Sequence, residues 1–176
     1  LTLSENVRER LIVATSLTKT FNVPGVIVSY MIIPNQEIRG RVAKTIDRIG
    51  MHNPTIFAVA AVEHGYMECK EWYEEMLAYI NENERFTREF FGEHLPGFEI
   101  LKREGTYLLW ISYAKLGLTE AKMEAWFLEK ANVSVYMGSV FGEAGRGYIR
   151  LNLASPRSML KEAYERMADV YQEAER

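Results

Sequence analysis

Apolar and polar positions follow two rhythms along this chain, and the change of rhythm divides it. Residues 11–14 form a short apolar run, partly β-branched, behind the charged Arg8, Glu9 and Arg10, which predicts a buried strand. A polar stretch bearing Pro24 and Gly25 follows, and residues 26–33 predict a second strand that Pro34 stops. Asn35 stands where a cap is needed for a helix over 36–49, whose Ile38, Val42, Ile46 and Ile49 share one face. Gly50 ends it. Residues 55–66 are apolar and Ala-rich and predict a mostly buried helix. Over 70–91 the spacing of Trp72, Met76, Ile80, Phe86 and Phe90 is helical, with Glu74, Glu75, Asn81 and Glu84 facing away.

Beyond the break at Leu95-Pro96-Gly97 the pattern becomes strand-like. Residues 98–102, 107–113, 133–137 and 148–153 predict strands around one helix over 120–131. A last amphipathic helix is expected to be capped by Ser155, with Pro156 at its first position. Met159, Leu160, Ala163, Tyr164, Met167 and Val170 form its expected inner face. The class is therefore α/β, in three pieces: residues 1–66, a connecting helix over 67–94, and a small α/β sandwich over 95–176. The first piece shows two strands where a typical sheet has about five, which suggests that strands from elsewhere complete it. The start at Leu1 fits either a piece of something larger or a processed terminus.

Composition narrows the classes. The chain has 176 residues, 48% hydrophobic and 26% charged, the balance of a folded domain. A formal net charge of −3 offers no basic footprint for nucleic acid. No apolar run is long enough to cross a bilayer; the run at 56–62 is too short. Nor does the start carry a secretory leader. The single cysteine, Cys69, rules out an internal disulfide and fits a reducing compartment, so a cytoplasmic location is expected. His52, His64 and His94 have no metal spacing, and no metal site is expected. His64 reads as a packed residue, and Trp72, Trp110 and Trp126 fall at core spacing.

Two short segments carry candidate chemistry. Ser16-Leu17-Thr18-Lys19-Thr20-Phe21-Asn22 directly follows the first strand. A lysine at a strand end can form a Schiff base if it is desolvated, and the hydroxyls of Ser16 and Thr18 could donate to a phosphate. Spacing alone favours a loop lysine. Gly138, Gly142, Gly145 and Gly147 crowd into ten residues, without the strand-then-helix setting of a nucleotide loop, so positive φ is the expected reason for them. Next, alternation puts Ile149, Leu151 and Leu153 on one face of a strand and Tyr148, Arg150 and Asn152 on the other. An arginine there needs a partner: an anionic ligand such as a carboxylate, or an internal glutamate.

Together these segments resemble a known family. Ser16-x-Thr18-Lys19-Thr20-Phe21-Asn22-x-x-Gly25 resembles the cofactor-lysine motif of fold-type I pyridoxal-phosphate enzymes. Gly105-Thr106-Tyr107-Leu108-Leu109-Trp110 and Phe141-Gly142-x-x-Gly145-x-Gly147-Tyr148-Ile149-Arg150-Leu151-Asn152 match in the same order. Within that superfamily the chain is most similar to the class-I/II aminotransferase branch that holds cystathionine β-lyase-like C–S lyases of the MalY/PatB type. The match runs over essentially the whole chain but covers only about the C-terminal half of a family member.

The resemblance implies the C-terminal part of the pyridoxal-phosphate-dependent transferase fold: a remnant of the large cofactor domain, the connecting helix and the small domain. It implies pyridoxal 5′-phosphate as cofactor, with Lys19 its covalent anchor, Ser16 and Thr18 beside its phosphate, and Arg150 on the carboxylate of an amino-acid substrate. It implies a C–S lyase acting by α,β-elimination, with an aminotransferase as the alternative and a non-catalytic fragment as the second. A homodimer or higher oligomer is also implied, with His52-Asn53-Pro54-Thr55 reaching toward the neighbouring site. Ile27 departs from the pattern, standing where aminotransferases often carry a phosphate-binding arginine. The family's carboxylate on the pyridine nitrogen, its ring-stacking aromatic and its glycine-led phosphate loop have no counterpart here. The only aspartates are Asp47 and Asp169, and neither suits the ring nitrogen. The pocket in this chain alone is therefore expected to be incomplete.

Overall fold

The computed structural model describes residues 3–51 and 53–171. The chain forms two compact units, Leu1–Met76 and Leu77–Arg176. The first contains a short helix α1 (Glu5–Arg8), strands β1 (Val13–Thr15) and β2 (Tyr30–Ile32), and helices α2 (Gln36–Arg48) and α3 (Ile56–Glu68). Helix α4 (Lys70–His94) starts in the first unit and continues into the second. The second adds β3 (Glu99–Ile100), β4 (Leu108–Ser112), α5 (Glu120–Ala125), β5 (Tyr136–Met137), β6 (Tyr148–Asn152) and α6 (Arg157–Asp169).

In the first unit β1 and β2 pair antiparallel, Val13 opposite Ile32 and Thr15 opposite Tyr30. The strand expected over 26–33 shrinks to three exposed residues, because three-residue β1 is its only partner among the described residues. The expected burial of residues 11–14 also fails: Ala14 is exposed and Val13 only half-buried. Asn35 does cap α2, its Oδ1 accepting from the Ile38 N–H at 3.0 Å. Helix α3 corrects the expectation of a buried helix. It is apolar on every side, yet only Ala58 and Gly65 are buried, while Ile56 and Phe57 are 80% and 78% exposed. The cause is a shortage of cover: Leu17, Ile33 and Ala58 are the only buried apolar residues described in this unit. Trp72, expected in the core, is likewise exposed.

The second unit has a core. Its sheet runs β3-β4-β6-β5, antiparallel throughout, and one face carries Leu109, Ile111, Ile149 and Leu151, all buried. Ile80 and Phe91 of α4, Phe98, Met123, Phe127 and the α6 stripe Leu160, Tyr164 and Met167 are buried with them. The helix expected over 120–131 is α5 followed by a π-helical turn, Trp126–Lys130. Trp126 and Phe127 within it are successive residues and both buried.

Ser155 does not cap α6. Pro156 occupies the N-cap position, and the Arg157 N–H is donated to the Tyr79 hydroxyl at 2.8 Å, so a tyrosine from α4 takes up the orphan donor. Met159, expected inside, is 61% exposed.

One buried polar node ties α4 to the end of β6. Asn83, fully buried, donates through Nδ2 to the carbonyls of Leu153 (2.9 Å) and Ser155 (3.0 Å), and its Oδ1 accepts from Arg157 Nε at 3.1 Å. Thr87 Oγ1 donates to the Asn83 carbonyl at 2.7 Å. Its one proton is thereby used, so the Tyr164 hydroxyl donates to Thr87 at 2.9 Å. Burial pushes the Tyr164 hydroxyl up to about 12.

Candidate active site

Lys19 lies in a single helical turn that follows β1. The Phe21 N–H is donated to the Leu17 carbonyl and the Val23 N–H to the Thr18 carbonyl, both at 3.0 Å, and Asn22 closes the turn at φ +53°. This is a Schellman-type ending, with asparagine in the left-handed place that glycine more often fills. Leu17 and Phe21 are four residues apart and share a face. Leu17 is buried, and the Phe21 ring meets Tyr66, Trp72 and Tyr73 at 5.6–6.2 Å between centroids. Both line an open apolar pocket of about 340 Å³ together with His64, Cys69 and Trp72. Lys19, two residues from each, faces the other way and is exposed, with no hydrogen bond or ion pair among the described residues.

Ser16 and Thr18 sit side by side, Oγ to Oγ1 at 3.0 Å. Ser16 Oγ lies 2.6 Å from the Val28 carbonyl and accepts the Thr18 N–H at 3.2 Å. A carbonyl only accepts, so the Ser16 proton goes to Val28 and the Thr18 hydroxyl donates to Ser16. His64 is not packed as expected: its side chain is 59% exposed, and Nδ1 lies 2.9 Å from Glu68 Oε1. That hydrogen bond and the Glu68 charge raise its pKa above the ordinary histidine value. His52 lies outside the described residues; Thr55 of the same segment is the N-cap residue of α3.

Arg150 occupies the middle of β6, opposite Trp110 on β4 and Tyr136 on β5. The alternation is as expected: Ile149 and Leu151 are buried, while Tyr148 and Arg150 are half-buried on the other face. Of the two expected partners, the internal glutamate is not found: among the described residues no carboxylate lies within ion-pair distance of Arg150. Its guanidinium instead meets two rings, with Cζ 4.7 Å from the Tyr136 centroid and 4.4 Å from that of Phe141. Trp110, expected in the core, is on this face: it stacks on Tyr148 at 5.5 Å and meets Phe141 edge-on at 5.7 Å.

The glycine-crowded loop makes this arrangement possible. Gly142 and Gly147 take φ +121° and +83°, as positive φ requires. Gly138 and Gly145 are needed for a different reason. A Cβ on Gly138 would lie 2.0 Å from the Gly145 carbonyl oxygen, and one on Gly145 would lie 2.1 Å from that of Gly138. Two backbone segments thus touch, and the loop between them carries Phe141. Sequence reading found Arg150 but not its rings. Trp110, Tyr136 and Phe141 all precede the arginine strand; strand register brings the first two opposite Arg150, and the loop brings Phe141.

The family model for aminotransferase class I and II matches residues 1–167. The chain belongs to the aminotransferase class I and II family. Among its relatives, this family member is 28% identical over 165 residues to cystathionine beta-lyase PatB of Bacillus subtilis, covering 94% of this chain and 43% of that protein. It is 29% identical to an aspartate aminotransferase of Pyrococcus horikoshii over 90% of this chain and 40% of that protein. Cystalysin of Treponema denticola, whose crystal structure contains pyridoxal 5′-phosphate, superposes on 97% of this chain and 43% of its own, with a TM-score of 0.91 and 33% identity. The chain thus has the fold of a C-terminal part of these enzymes and spans about two-fifths of their length. Among the described residues no helix is long and apolar enough to cross a membrane, and no group of three or more His, Cys, Asp or Glu could hold a metal ion.

Proposed function

We propose that this chain is the part of a pyridoxal-phosphate-dependent C–S lyase that carries the covalent anchor, Lys19, and the substrate-carboxylate arginine, Arg150. The carrying observation is the Lys19 turn. It presents an unpaired amine on its exposed face, fixes its opposite face through Leu17 and Phe21, and holds two hydroxyls within one turn of the amine. An amine for an aldehyde and hydroxyls for a phosphate are a donor set that fits this cofactor, and Thr18 is the hydroxyl freer to turn toward it, since Ser16 is engaged by Val28. Asp47 in α2 and Asp169 in α6 both lie outside that turn, so the fit is to the aldehyde and phosphate and not to the ring nitrogen.

When bound, the cofactor serves as an electron sink for the substrate α-carbon. Lys19 Nζ would hold the cofactor, and its amine would take the α proton as general base. Arg150 grips the substrate carboxylate with its planar fork and fixes which bond at the α-carbon is presented to that base. In the overall elimination the C–S bond at the β-carbon breaks, one water is consumed, and thiol, pyruvate and ammonia leave. Amino transfer is the second reading, favoured by the similarity to the aspartate aminotransferase. It shares the anchor, the grip and the proton removal, and differs in where the proton returns. A cytoplasmic location fits the lone cysteine.

The test uses the 176-residue chain with pyridoxal phosphate, fixed with borohydride and mapped by mass spectrometry. The pyridoxyl group is expected on Lys19 in preference to the other exposed lysines, such as Lys44 and Lys70, and to be lost in Lys19→Ala. Equal labelling of all exposed lysines would remove the reading. We also propose a homodimer or higher oligomer, because Ile27, Ile56 and Phe57, at 78–86% exposure, are too apolar a surface for water. Light scattering that finds only monomer at micromolar concentrations would contradict it.

A further inference from the structure

We propose that Tyr136 and Phe141 are positioning residues for Arg150, holding the guanidinium carbon over both ring faces and leaving its N–H groups, which have no hydrogen-bond partner among the described residues, for a carboxylate. The inference rests on the reading of Arg150 as the carboxylate grip and adds the groups that aim it. The distances from Arg150 Cζ to the two centroids are 4.7 and 4.4 Å, and the centroids themselves are 6.3 Å apart with planes 60° from parallel. Those three distances place the cation in the corner between two rings rather than between parallel plates.

A ring attracts a cation over its face, whereas a carboxylate is bound in the guanidinium plane. The rings meet Arg150 at its Cζ, and its N–H groups make no hydrogen bond among the described residues, so they are left for an anion. Arginine on a free stem has many rotamers to lose when it is fixed. A guanidinium already held at two rings has fewer of them to lose when an anion arrives. No carboxylate of the described chain neutralises Arg150, so its charge stays available.

Both rings are themselves fixed. Tyr136 lies directly opposite Arg150 in the β5–β6 register. Phe141 is carried by the loop whose Gly138 and Gly145 backbones touch, and it is braced edge-on by Trp110, which faces Arg150 from β4. Tyr136 and Phe141 are still 59% and 49% exposed. Rings so exposed contribute little to the core; besides each other and Trp110, they meet Arg150.

The test is nuclear magnetic resonance on the 176-residue chain, with acetate as the carboxylate probe and acetamide as the neutral control. The Trp110 indole N–H and the backbone amides of β6 report binding, and the Arg150 Nε–H reports its own surroundings. In the native chain the Arg150 Nε–H is expected upfield of other arginines, from the ring faces, with slowed rotation about Nε–Cζ. Acetate, but not acetamide, should shift the reporters. Tyr136→Leu and Phe141→Leu should each weaken acetate binding about two- to fivefold, and each should return the Nε–H toward an ordinary position. Tyr136→Phe keeps the ring and should bind as the native chain does.

Leu variants that bind acetate unchanged, or a native Nε–H at an ordinary arginine position, would overturn the positioning role. The second of these needs no variant to fold. Arg150→Lys separates the two ideas. If it leaves the acetate shifts intact, the carboxylate reading of Arg150 fails and the positioning proposal falls with it. If it abolishes them while the Leu variants bind normally, only the positioning role falls.

Discussion

Asn83→Ala should cost the second unit about 3 kcal/mol, more than its size suggests, because its amide bonds three groups at the end of the arginine strand. Asn83 Nδ2 serves the Leu153 and Ser155 carbonyls, and Oδ1 serves Arg157. The Leu153 bond is wholly buried, but that carbonyl keeps the Ser155 N–H at 2.9 Å, so losing its second donor costs about 1 kcal/mol. The Ser155 carbonyl and Arg157 lie nearer the surface and recover water, so they add about 0.5 kcal/mol each at most. The space left by the missing amide adds roughly another 1 kcal/mol. Native-state hydrogen exchange at the amides of Ile149 and Leu151 reads the effect. At 1.4 kcal/mol per decade, about 3 kcal/mol is an increase of roughly 150-fold in their exchange rate. Asn83→Leu separates the causes, since it restores volume without hydrogen bonds. It should remain about 1–2 kcal/mol less stable than the native chain. Exchange in Asn83→Leu within a factor of about two of native would refute the account and make packing, not hydrogen bonding, the function of this residue.

Gly138→Ala should cost about 1–3 kcal/mol by forcing apart two backbones in contact, and should move the Phe141 ring off Arg150, seen as loss of the upfield shift at the Arg150 Nε–H; an unchanged shift would count against the loop as the support of Phe141. The Tyr164 hydroxyl is held up to about 12 against an ordinary value of 10, so its contribution to stability is complete below pH 10 and disappears as pH rises toward 12. Urea denaturation between pH 9 and pH 12 should therefore show a steeper alkaline fall in the native chain than in Tyr164→Phe, and equal slopes would exclude burial of this hydroxyl as the cause.

What the sequence determined by itself was the local order of elements and the identity of two chemical groups. Strand alternation sufficed to place Arg150 off the apolar face of β6, since period two admits only two faces. The Asn35 cap and α2 were legible for the same reason: capping and helical spacing act within a few residues. The Lys19 and Arg150 motifs carried the family, because their residue types and order were specific enough together.

Tertiary structure decided the rest, where partners come from far along the chain. Apolar character predicted burial for α3 and Trp72, but burial depends on what covers a side chain, and this unit has little cover to offer. The cap of α6 was misread because the acceptor for Arg157 is Tyr79, far upstream on α4, and no local pattern reports it. The glycines of the 138–147 loop looked like turn residues; two of them are, but Gly138 and Gly145 are small because each faces the other's carbonyl. The partner of Arg150 could not be chosen from sequence, since glutamates are plentiful and all are compatible on paper. Strand register chose two aromatic rings instead, because pairing of β5 and β6 sets Tyr136 opposite the arginine and the loop folds Phe141 onto it.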